Sequence, residues 1–263
     1  MTQRLPALFL GHGSPMTIIT DNPELRAMGA LGKRLPRPRA VLCISAHYES
    51  RGRIHLTTGA HPKTIHDFRG FPEELYRVQY PAPGDDALVD RIAGLLGEDR
   101  IHRDSEWGFD HGVYGVLLPL LGHAETPTVA MSLDRALGPE QHLATARALA
   151  PLRDEGVVIV ASGNVIHNLA LLRQSQGTQP GWALDFRARI NAALRAGNDT
   201  ALTTFAADDR PAANAINSAE HYLPLLYAAG ARLPGDEVAI FNDTLDGALS
   251  MTSVLYGDTT LLA

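Results

Sequence analysis

One cysteine, Cys43, is all the thiol the 263-residue chain carries. No internal disulfide is available, and no paired-cysteine metal or redox site can be built. Cys43 sits within the apolar run AVLCISA and reads as a small buried hydrophobe rather than a nucleophile. No apolar stretch reaches the roughly 18 residues that span a bilayer. The N-terminus, MTQRLPALFL, lacks the long apolar region and small-residue cleavage site of a signal peptide. The expectation is a cytoplasmic protein with no membrane partner. Long Lys/Arg runs are also missing, and the formal net charge is −6, which argues against a nucleic-acid partner. Neither HExxH nor a Walker or GxGxxG loop occurs. GHGSP supplies no serine nucleophile elbow, since that turn needs the spacing GxSxG and Pro15 follows Ser14 directly.

What is present is ordinary globular material, 45% hydrophobic and 20% charged, in a chain long enough to bury a substantial core. Short apolar runs at 6–10, 40–46, 127–132, 156–161 and 237–241 read as strands. Their apolarity is continuous rather than alternating, as in strands covered on both faces. Helical periodicity predicts helices at about 22–33, 85–97, 112–121, 139–153, 181–195 and 218–229. The alternation implies an α/β fold, a single domain over 1–263 whose central sheet is mostly parallel or mixed, with helices on both faces. Segment 61–84, rich in Pro, Gly and aromatic residues, has little period and reads as a functional lid or rim.

The placement of the histidines says more than their number, which is 11. His12, His47 and His167 each fall just beyond the C-terminal end of an expected central strand. That edge of an open α/β sheet is where ligands bind, so the three loops are expected to converge. His221 lies near the start of the expected helix 218–229, where the helix dipole favours a neutral, metal-binding imidazole. Its neighbour Glu220 could supply the donor instead, and spacing alone does not choose. His111 precedes the apolar helix at 112–121 and can either act in a pocket or cap that helix. His66, in the expected lid, and Tyr222, beside His221, are assigned to substrate contact. His55, His61, His102, His123 and His142 read as solvated or packed. Imidazoles converging from separate loops without cysteine suit Zn2+ or non-haem Fe2+. A zinc-dependent hydrolase of a small amide or ester is an alternative use of such a site.

Seven blocks then occur in order: GHGSPM, SAHYES, TIHDFRGFPEELYRVQYPAPG, WGFDHGVYGVLLPL, LAPLRDEGVVIVASGNVIHNL, AEHYLPLLYAAGA and LSMTSVLYG. Together they resemble the DOPA-type extradiol ring-opening dioxygenases of the class III extradiol superfamily, over essentially the whole chain. The resemblance implies one divalent metal ion per chain, Zn2+ or Fe2+, carried by His12, His47 and His221. It favours His221 over Glu220, since this branch places a histidine where related ring-cleaving enzymes have a glutamate. It further implies that His167 is an acid/base group able to approach as a fourth ligand, and that His111 is the second pocket histidine. The expected partners are a catechol-type aromatic diol, such as DOPA, and O2. Thr252 stands where the resembling sequences have a basic residue, a departure that bears on the substrate.

Overall fold

The runs PALFL, AVLCISA and GVVIVA are apolar without alternation because both faces of their strands are covered. The computed structural model describes residues 3–263. Its strands are β1 (Ala7–Gly11), β2 (Ala40–Ser50), β3 (Ile54–Thr57), β4 (Ile101–Asp104), β5 (Thr128–Asp134), β6 (Val157–Gly163), β7 (Glu237–Phe241), β8 (Leu245–Asp246), β9 (Leu249–Ser250) and β10 (Ser253–Gly257). The helices are α1 (Pro23–Arg34), α2 (Glu73–Tyr76), α3 (Asp86–Leu96), α4 (His111–Leu121), α5 (Pro139–Leu149), α6 (Leu169–Ser175), α7 (Gly181–Ala196), α8 (Asp199–Thr203), α9 (Arg210–Ala215) and α10 (Leu223–Gly230).

Eight strands form one sheet in the order β4-β3-β5-β2-β6-β1-β10-β7, and β8 pairs with β9 apart from it. The centre is parallel, β5 to β2 to β6 to β1. Antiparallel pairings add β3 on one side and β10 and β7 on the other, so the sheet is mixed. Successive side chains point to opposite faces. Leu8, Leu10, Val41, Cys43, Val158 and Val160 meet a layer built from α1 and α4, through Met28, Leu31, Val116 and Leu120. Phe9, Leu42, Ile44 and Ile159 meet α3, α5, α7 and α10 on the other face. Burial pushes the Cys43 thiol well above its ordinary range, which leaves it inert.

Three boundaries differ from the expectation, each for a local reason. The helix expected over 139–153 stops as an α-helix at Leu149 and continues as a 3-10 turn, Ala150–Glu155. Pro151 cannot donate to the preceding turn. The helix expected over 218–229 begins only at Leu223, with Pro224 in its first turn. An earlier start would place that proline in the helix interior. β2 runs on to Ser50, but its ladder with β5 shifts register between Ile44 and Glu49. The edge strand β4, its neighbour β3 and the buried strand β10 carry no sequence pattern clear enough to announce them.

His142, expected to be solvated or packed, is packed. It is fully buried between α5 and α10, with Nδ1 2.9 Å from the Tyr227 hydroxyl. Burial pushes its pKa down to about 4. The unfolded value is about 6.5, so the native state binds fewer protons wherever the pH lies between the two. Stability contributed by this neutral ring is complete above pH 6.5 and is lost as the pH falls toward 4. Chemical denaturation at pH 7 and pH 5 should show the parent protein losing about 2 kcal/mol more than His142→Leu across that interval. Equal losses would contradict a buried neutral His142.

Candidate metal centre

The histidine His12 follows β1 at once, between two glycines that have different jobs. A Cβ on Gly11 would lie 2.6 Å from the Met251 carbonyl oxygen, so the strand end can pack there only as glycine. Gly13 has φ +64°, a conformation glycine adopts freely, and it turns the chain away while the imidazole stays. Ser14 then caps the 3-10 turn Pro15–Ile19. The Nδ1 of His12 is 3.0 Å from the Ser162 hydroxyl at the end of β6. That contact leaves Nε2 to face inward.

His47 was expected just past a strand. It lies inside β2, in the stretch where the ladder with β5 slips. A bulge re-aims side chains in this way and is common beside functional sites. The Nε2 atoms of His47 and His12 are 3.2 Å apart, while Nδ1 of His47 lies 3.3 Å from the Asp67 carboxylate. His221 sits in the turn ahead of α10, where its backbone carbonyl accepts from Asn164 N–H. Its Nδ1 is 3.1 Å from Glu220, whose carboxylate also accepts from the Ser218 hydroxyl at 2.7 Å. Glu220 is thereby occupied in orienting His221.

His12, His47 and His221 each offer a nitrogen, and those three atoms lie within 4.8 Å of one another. Tetrahedral ligation at metal–nitrogen distances of about 2.05 Å requires nitrogens about 3.3 Å apart. The His12–His47 separation meets that requirement. Burial, reinforced by the neighbouring rings, pushes the pKa values of His12 and His47 well down, so both are neutral and have lone pairs to donate. The donor chemistry therefore fits a divalent transition metal.

Two more histidines border this group. His167 stacks on His221 with centroids 3.5 Å apart and planes within 3°. Burial and then His221 push its pKa down to about 3. His111 is the first residue of α4, and the cap is Asp110, which accepts from Val113 N–H. The His111 ring is thus free to face the cavity. Its backbone N–H and Nδ1 both reach Asp67, at 2.9 and 2.8 Å. Burial alone would raise the Asp67 carboxyl, but the bonds from His111 and the closeness of His47 hold it below its usual range. Behind it, burial and the Asp67 charge raise Asp110 to about 6, although the Ser45 hydroxyl donates to it at 2.6 Å.

These five histidines form the floor of a cavity of about 480 Å³. Ser14, Pro15, Phe68, Phe71, Leu169, Leu172 and Leu249 line the rest together with Gly13. Segment 61–84 supplies Asp67, Phe68 and Phe71, so it forms a rim. His66 and Tyr222, assigned to substrate contact from the sequence, are placed elsewhere. The His66 Nε2 is 2.9 Å from the Val78 carbonyl oxygen, and the Tyr222 hydroxyl donates to Leu202 within the core. Neither lines the cavity. Thr252 is also off the lining and fully buried, its hydroxyl donating to Asp243 at 2.8 Å. Asp67 escaped the sequence reading although it adjoins His66. A lone carboxylate in an aperiodic segment carries no signal until the histidines it serves are brought to it.

One carboxylate thus orients both His47 and His111. Replacing it as Asp67→Asn removes the charge and one of the two matched acceptors. Metal affinity, read by competition with a chelator, should fall about 10–100-fold while the far-ultraviolet circular dichroism stays unchanged. Unchanged affinity would show that Asp67 does not orient the donors.

The comparisons with known proteins agree with this geometry. Residues 6–246 match the family model described as the catalytic LigB subunit of aromatic ring-opening dioxygenase. A protein of Escherichia coli K12 named 4,5-DOPA dioxygenase extradiol is 41% identical, over 97% of this chain and 95% of the relative. One of the same name from Beta vulgaris is 32% identical, over 92% of each. A crystal structure of an uncharacterized Escherichia coli K12 protein has a TM-score of 0.83 and 38% identity, covering 97% of this chain and 100% of that one. The chain belongs to the LigB family of aromatic ring-opening dioxygenases.

Proposed function

We propose that the protein is a metal-dependent extradiol dioxygenase that opens the ring of a catechol-type diol with O2, with His12, His47 and His221 as the metal ligands and His167 and His111 as its acid–base pair. The observation that carries this reading is the meeting of three imidazole donors from three separate elements at the floor of one cavity. His12, His47 and His221 would hold a divalent ion, and a set of three protein donors suits the chemistry of non-haem iron oxygenases. A divalent ion there favours the ionised diol, and Fe2+ adds the one-electron exchange with O2 that zinc lacks.

The chain's own groups account for the rest. Ser162, Asp67 and Glu220 each hold the outer nitrogen of one ligand ring, which fixes its direction. With its pKa near 3, His167 is neutral at pH 7 and can accept a proton from a substrate hydroxyl. An anionic diol beside it favours the protonated ring. His111, held through Nδ1 by Asp67, presents Nε2 to the cavity and can hold or return a proton during ring opening.

Oxygen uptake by metal-stripped protein, reloaded anaerobically with Fe2+ or Zn2+ and given simple catechols and DOPA, tests this directly. Uptake with Fe2+ alone and a yellow ring-opened product are expected. His167→Ala should lower the rate about 10²–10⁴-fold with metal content retained. Full activity with zinc would contradict the role of iron. No uptake with either metal would favour a zinc hydrolase, to be assayed on esters and amides.

A further inference from the structure

The upper wall of the cavity is made of hydrocarbon. Leu169 and Leu172 lie three residues apart on α6 and so share a face of it, and Leu249 joins them from β9. Opposite, Phe68 and Phe71 pack edge to face with centroids 5.3 Å apart. Leu169 is 48% exposed, the one large hydrophobic side chain so open among the described residues. With Leu172, Leu249, Phe68 and Phe71 it makes the apolar part of the lining continuous up to solvent. Among the described residues, the only polar side chain on the lining besides the histidines is Ser14, whose oxygen accepts from Met16 N–H.

No Lys, Arg, Asp or Glu lines this cavity among the described residues. The nearby carboxylates are committed elsewhere, Asp67 to His47 and His111, and Glu220 to His221 and Ser218. Arg69 and Arg173, next to Phe68 and Leu172 in sequence, are exposed and stand off the lining. A zwitterionic amino-acid side chain entering here would lose hydration without gaining an ion partner. An alkyl or aryl substituent would gain contact with five large apolar side chains.

We infer that the cavity selects catechols whose ring substituent is uncharged and apolar, and discriminates against amino-acid-bearing diols such as DOPA. This rests on the ring-opening reading and narrows its substrate class. It also separates this chain from the substrate in its relatives' name.

The test compares three diols with side chains of equal length, namely propylcatechol, dihydroxyphenylpropionate and DOPA, by oxygen uptake with the Fe2+-loaded enzyme. Propylcatechol should lead the other two by about 10-fold or more in kcat/KM, mostly through KM. Each methylene from methylcatechol to propylcatechol should lower KM about fourfold. Leu169→Lys, at an exposed position, should raise kcat/KM for the propionate and not for propylcatechol. Equal or better use of DOPA or the propionate by the parent enzyme would overturn the inference. Anaerobic calorimetry with the same diols gives the binding order without turnover. If no catechol were consumed, the ring-opening reading would fail, and the binding order would still decide what the cavity prefers.

Discussion

Crowded imidazoles stay together only while they are neutral and each knows which nitrogen faces inward. His12, His47 and His221 have ring centroids 4.9–5.2 Å apart. A proton on any one would repel the others and remove a donor lone pair. The protein meets this constraint in two ways. Burial holds His12 and His47 neutral. A separate acceptor or hydroxyl then fixes the outer nitrogen of each ring, Ser162 for His12, Asp67 for His47 and Glu220 for His221. Outer partners of this kind set tautomer, orientation and basicity in metal sites generally.

Those partners come from distant parts of the chain, so the site depends on the sheet that assembles them. The parallel centre delivers the ends of β1, β2 and β6 to one edge, where open α/β sheets bind ligands. Gly11 lets the end of β1 press on the backbone of Met251, and the slipped register of β2 turns His47 inward. Segment 61–84 closes the arrangement. Its Asp67 serves two histidines, while its Phe68 and Phe71 face the substrate space. One irregular segment therefore contributes both to holding the donors and to shaping what can reach them.

The sequence revealed most where burial writes long patterns. The apolar runs that became β1, β2, β5 and β6 are continuous because both faces of the sheet are covered there, and the helices α1, α3, α4 and α7 were legible within a residue or so. β3, β4 and β10 were not, because IHLT, IHRD and SVLYG break their few apolar residues with polar ones or glycine. Convergence of His12, His47, His167 and His221 was foreseeable from strand ends and resemblance. The local geometry was not. His47 lies within a strand because the ladder slips, and His221 precedes its helix because Pro224 sets the start. His66 and Tyr222 looked suitable by residue type, yet tertiary packing ties one to Val78 and the other to Leu202. Asp67 and the leucines of the mouth became visible only once the chain was folded around them.

The claim on which everything else rests is that three particular imidazoles form one metal centre. The most direct measurement is bound metal per chain by elemental analysis, after anaerobic loading and desalting, for the parent protein and for His12→Ala, His47→Ala, His221→Ala and His111→Ala. One ion should remain in the parent and in His111→Ala, and it should be lost from each of the other three. Full retention in any of those three variants would contradict the assignment of that histidine as a ligand, and with it the centre described here.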